Sequence, residues 1–106
     1  MAQATDIIAI VRLYARHLAD QGVPVNRVIL FGSWAKGTAR SDSDIDVGIV
    51  SSRFGNDEIE EMQYLLYQTR HIDDRIEPIP MSVEDYENDA TPFIVEIKKH
   101  GYPVLS

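Results

Sequence analysis

Apolar side chains recur at Ile7, Val11, Tyr14 and Leu18, with Ile8, Ile10 and Ala15 alongside. This 3.6-residue rhythm predicts a helix over 5–21, capped by Thr5 or Asp6 and stopped by Gly22 and Pro24. The rhythm then changes. Val28 to Phe31 is a short continuous apolar run of the kind buried in a sheet, and Gly32 ends it. Ser33 to Lys36 can make one helical turn before Gly37, and 38–43 has the composition of a loop. From Ile45 to Val50 apolar residues alternate with Asp46 and Gly48, which predicts a second strand.

A second long helix follows, capped by Asn56, with Asp57 and Glu58 in its positive first turn. Its apolar face reads Ile59, Met62, Leu65 and Leu66, continuing to Thr69. The acids Asp57, Glu58, Glu60 and Glu61 read as a solvated helix face. Residues 74–80 are extended, and Pro78 and Pro80 point to an edge strand or a strand end. Ser82 opens a short helix; Thr91-Pro92 opens another that closes at Lys98-Lys99-His100-Gly101. Tyr102 to Leu105 can add a last strand. This order of elements predicts a single α/β (α+β) domain, a small mixed sheet packed against helices.

Composition narrows the chemistry. There is no cysteine among the 106 residues, so disulfides and thiolate metal sites are excluded. A reducing compartment fits. No signal-peptide pattern and no membrane-length apolar stretch are present, so the cytoplasm is the expected location. The formal net charge of −7 argues against general nucleic-acid binding, which needs clustered Lys and Arg. A nucleotide is still admissible if metal ions supply the positive charge. His17, His71 and His100 lie far apart and form no ligand spacing, and the tyrosines read as packing residues.

Asp44 and Asp46 are the anomaly, because Asp is depleted in strands. At positions i and i+2 of a strand both carboxylates point to one side. Like charges so placed repel unless a cation lies between them, and a hard divalent ion such as Mg²⁺, also bound to phosphate oxygens, resolves this. Gly32-Ser33, ending the preceding strand, offers backbone N–H groups with no Cβ at Gly32 to block close approach. Carboxylates facing a phosphate-binding turn suit phosphoryl or nucleotidyl transfer.

The run Gly32-Ser33, ten residues, then Asp44-Ile45-Asp46 resembles the signature of the DNA-polymerase-β-like nucleotidyltransferase superfamily. The wording "FGSWAKGTARSDSDIDVGIV" looks like its minimal nucleotidyltransferases (MNT). The likeness is densest over 28–50 and extends more loosely through 105. It implies that Gly32 and Ser33 hold the triphosphate of ATP and that Asp44 and Asp46 bind two Mg²⁺ ions. A later strand supplies a third carboxylate in the family. Ile76-Glu77 matches its apolar–acid pattern best, although the family more often has Asp; Asp73 and Asp74 are the alternatives, with Asp73 expected on the strand face of Glu77. Lys36 and Arg40 become candidates for the β- and γ-phosphates. Ser43 reads as a loop-shaping or supporting hydrogen-bonding residue, and Trp34 as a border to nucleotide or partner.

The same resemblance implies a partner. Minimal nucleotidyltransferases are commonly encoded beside an all-helical HEPN-domain toxin, and several act as antitoxins. These move AMP from ATP to a hydroxyl, typically a tyrosine, of the toxin and silence its RNase activity. That is the leading expectation here, with a hetero-oligomer as its corollary. Alternatives are a binding-only antitoxin with a residual nucleotide site, or nucleotidyl transfer to a small molecule such as an aminoglycoside.

Overall fold

The computed structural model describes residues 4–105, with side-chain environments from Asp6 onward. Nine elements follow in chain order among the described residues: α1 (Ala4–Asp20), β1 (Arg27–Phe31), α2 (Ser33–Lys36), β2 (Ile45–Ser51), α3 (Glu58–Thr69), β3 (Ile76–Ser82), α4 (Val83–Glu87), α5 (Pro92–His100) and β4 (Tyr102–Leu105). The strands form one mixed sheet in the order β3-β2-β1-β4. β1 pairs antiparallel with β2 and β4, whereas β2 and β3 run parallel, joined through α3.

The α1 stripe behaves as its spacing predicts, since Ile7, Val11, Tyr14 and Leu18 are all fully buried. Tyr14 also donates its hydroxyl to the Leu65 carbonyl at 2.8 Å, fastening α1 to α3. Burial pushes that phenol well above the ordinary tyrosine range. The helix already includes Ala4, so Thr5 and Asp6 lie inside its first turn and neither is the cap.

Two further expectations are corrected on α3. Asp57, not Asn56, is the cap: its carboxylate accepts from the Glu60 amide at 3.1 Å, while the Asn56 side chain turns back to the Arg53 carbonyl. The buried stripe is Leu65, Gln68 and Thr69; Ile59 is 73% exposed and Leu66 44%. Packing against the sheet, rather than hydrophobicity, selects the inward face, and Gln68 is tolerated there because its side chain meets His17 Nε2 at 2.6 Å. Glu61 is no idle surface acid either. Although partial desolvation opposes it, acceptance from the amides of Gly55, Asn56 and Asp57 brings its carboxyl below the usual range.

The caps of the later helices stand as expected, with Ser82 accepting from Asp85 N–H and Thr91 from Ile94 N–H. β3 is an edge strand. The Ile45 amide donates to the Arg75 carbonyl, so by the two-residue period Pro78 and Pro80 point outward, where a missing N–H costs the sheet nothing.

The two sheet faces are covered unequally. Val28, Leu30, Ile45, Val47, Ile49 and Ile76 join α1, α3 and Trp34 in the larger core. Ile29, Val50, Met81, Ile94 and Ile97 make a smaller one beneath α5. Among the described residues no helix is long and apolar enough to cross a membrane.

Candidate active site

The site grows from the end of β1. Gly32 has φ 73° and ψ −151°, a conformation that side-chain-bearing residues rarely adopt. A Cβ there would also run into the Asp46 carboxylate. Glycine is therefore required twice over, by backbone conformation and by space. Ser33 starts the single turn of α2, whose first amides have no side-chain cap. The Ser33 carbonyl receives the Gly37 amide, with Gly37 left-handed at φ 77°, and the turn ends there.

β2 supplies the carboxylates by alternation. Ile45, Val47 and Ile49 are fully buried in the larger core, so Asp46 points to the opposite face; Asp44 lies one residue before the strand rather than in it, and its charge still reaches Asp46. Asp46 stands in register with Phe31 on β1 and with Glu77 on parallel β3. Asp46 is half-buried; Asp44 and Glu77 are exposed.

The electrostatics bind the three acids together. Burial raises the Asp46 pKa, the Asp44 charge raises it further, and a hydrogen bond from Glu77 opposes the rise. Glu77 is raised by desolvation first, then by the charges of Asp44 and Asp46, and by holding the proton in hydrogen bonds to both. Among the described residues no three acidic or histidine side chains are already drawn into a metal-ligand cluster. The donor set nonetheless fits one kind of ion. All the available atoms are carboxylate oxygens, and a hard divalent cation among them would relieve the charge repulsion that raises the Asp46 and Glu77 pKa values.

The remaining candidates are spread around this centre. Ser43 Oγ accepts the Arg40 amide at 2.8 Å, so Ser43 shapes the loop immediately before Asp44. Trp34 does not border open solvent: it is 9% exposed, and its indole N–H donates to the Ser43 carbonyl at 3.3 Å. It thereby ties the Gly32-Ser33 turn to the approach of Asp44. Lys36 and Arg40 are both exposed, and among the described residues neither is in a salt bridge.

Asp73 and Asp74 precede β3, so strand alternation does not extend to them. The Arg75 guanidinium, hydrogen-bonded to Asp73 and 2.9 Å from it, holds that carboxyl below the usual range despite partial burial. Arg75 also donates to the Ser41 carbonyl at 2.7 Å. The pair is thus a clamp on the loop of Asp44, and Glu77 is the later acid that faces Asp46. Sequence reading missed this clamp because its span, Arg75 to Ser41, follows no local spacing. It also left the histidines unrelated, whereas the His17 and His71 rings lie 5.1 Å apart across the ends of α1 and α3.

A small mixed sheet that sets paired strand carboxylates against a glycine turn defines a nucleotidyl-transfer architecture. The sequence profile described as a nucleotidyltransferase domain matches residues 12–103, and the chain belongs to that family. Its fold is shared by a provisionally assigned nucleotidyltransferase from Sulfolobus solfataricus, with a TM-score of 0.68 at 18% identity, over 94% of this chain and 80% of that one. No curated protein matches the chain significantly. Within the family the signature over Gly32 to Asp46 places it in the polymerase-β-like superfamily, among the minimal nucleotidyltransferases.

Proposed function

We propose that this chain is a Mg²⁺-dependent adenylyltransferase that works in the cytoplasm as an antitoxin, moving AMP from ATP to a tyrosine hydroxyl of a HEPN-domain toxin and so silencing it. The observation that supports nucleotidyl transfer is the register of Asp46 with Glu77 across parallel strands, with Asp44 beside them and Gly32 opposite; the antitoxin role and the toxin partner follow from the resemblance to minimal nucleotidyltransferases.

Asp44, Asp46 and Glu77 would hold the metal, which when bound neutralises phosphate charge and stabilises the departing pyrophosphate. The chain's own residues account for the rest. Gly32 lets a phosphate approach the backbone, and the uncapped amides of α2 face an anion favourably. Lys36 and Arg40, exposed and in no salt bridge among the described residues, are cations offered to the outer phosphates. Glu77, exposed on the open face opposite Asp46, is placed to take the proton of the attacking hydroxyl. As the bond from that oxygen to the α-phosphorus forms, the bond to the bridging oxygen breaks and pyrophosphate leaves with the electron pair.

Exposure supports an acceptor delivered by a second polypeptide. Asp44 and Glu77 lie open to solvent, so a partner's hydroxyl has an unobstructed approach.

The test is to incubate the purified chain with α-labelled ATP, Mg²⁺ and the HEPN protein encoded beside it, and to weigh the partner intact. A gain of whole AMP units, absent with Asp44→Asn/Asp46→Asn, is the expected result. Tight association without transfer would overturn the catalytic reading in favour of a binding-only antitoxin. Transfer that survives the double substitution would overturn the metal site.

A further inference from the structure

His17 lies in the last turn of α1, and His71 follows α3 by two residues. Their ring centroids are 5.1 Å apart, and the planes are tilted by 35°. Both helices cover the larger core, so the pair stands on the sheet face away from Asp46.

Three features distinguish this pair from an ordinary ring contact. The first is spacing. The tilt is neither the parallel stack nor the edge-to-face arrangement that aromatic rings favour. An ion about 2.0–2.1 Å from one nitrogen of each imidazole, at a tetrahedral angle, would instead leave the two ring centres about 5.2 Å apart. The second is the tautomer. Gln68 is only 8% exposed, and its amide oxygen accepts from His17 Nε2 at 2.6 Å. That bond fixes the proton on Nε2 and leaves the lone pair on Nδ1, the way a carbonyl commonly orients a metal-bound histidine. It also gives a polar residue on the inward stripe of α3 a purpose beyond packing. The third is the backbone. Each histidine sits at the carbonyl end of its helix, where the peptide dipoles favour a cation. The exposed ring of His71 is in no hydrogen bond among the described residues.

We propose that His17, through Nδ1, and His71 bind a borderline divalent transition-metal ion such as Zn²⁺, pinning the end of α1 to the end of α3. Imidazole nitrogens select this class of ion over Mg²⁺, which takes oxygen ligands. Among the described residues no third acidic or histidine side chain completes a cluster, so water fills the remaining positions and the ion is exchangeable. Nothing in this site depends on nucleotidyl transfer.

The test titrates Zn²⁺ into the Asp44→Asn/Asp46→Asn chain, where the paired aspartates no longer compete, and follows both heat and thermal unfolding. One equivalent should bind and raise the melting temperature, whereas Mg²⁺ should do neither. Adding His71→Ala, at an exposed position, should abolish the gain and leave metal-free melting as in its parent. Gln68→Leu should weaken binding by about 10–100-fold, the usual scale for losing the group that orients a ligand. His100→Ala, which removes the third histidine beside Glu96, should change nothing. With Cu²⁺ in place of Zn²⁺, electron paramagnetic resonance of the parent should show coupling to two nitrogens, falling to one in His71→Ala. Undiminished binding in His71→Ala would put the ion elsewhere, and no binding in the parent would leave the pair a ring contact; either result overturns the proposal.

Discussion

On one face of the sheet, Val28, Leu30, Ile45, Val47 and Ile49 meet α1 and α3 and are sealed from water. On the other, the small core under α5 ends at Asp46, and Glu77 and Asp44 stand open beside it. The same strand builds both: one residue of β2 is fully buried and the next is a carboxylate with its pKa raised. The closed face is arranged for stability. The open face retains mutual repulsion, which costs stability unless a cation is present, and concentrates acids where stability alone would place none.

The sharpest separation of the two faces comes from Asp44→Asn/Asp46→Asn. Transfer should fall at least about 10³-fold, the loss of several kcal/mol of charge stabilisation, while the melting temperature holds or rises. A double variant that unfolds would contradict the division of labour. Leu65→Ala tests the opposite face. It should cost about 2–5 kcal/mol in denaturant unfolding, with turnover per folded molecule unchanged.

Gly32→Ala touches both regions at once. It forces a side chain into a left-handed position and against Asp46, so about 1–3 kcal/mol of stability and most of the activity should go together. The smallest effect belongs to the Asp73–Arg75 clamp. Held below its ordinary pKa by Arg75, Asp73 binds fewer protons folded than unfolded in that interval. Its contribution is therefore complete above the usual aspartate range and lost as pH falls through its depressed value. Asp73→Asn should flatten this acid limb of the stability profile by less than about 1 kcal/mol, which a pH series of thermal melts can read.

Much of the fold was legible because its cues are local. The stripe on α1, the Ser82 and Thr91 caps and the prolines of β3 each follow from spacings within a few residues. The α3 face was misread at Ile59 and Leu66 because hydrophobicity alone does not tell which way a helix is rotated against a sheet. Asp44 and Asp46 stood out through their spacing and their mismatch with strand propensity. Glu77 was reached through a family pattern, and only strand pairing puts it opposite Asp46. Trp34, Arg75 and the His17–His71 pair act across loops and elements, where sequence spacing carries no signal.

The central claim is that the open face is a metal site held at some expense to the fold. Thermal unfolding of the wild-type chain and of Asp44→Asn/Asp46→Asn, each with and without saturating Mg²⁺, tests it most directly. Without Mg²⁺ the variant should melt at the same temperature as wild type or higher; with Mg²⁺ the wild type should gain several degrees and the variant none. An equal gain in both proteins, or no gain in either, would contradict the account.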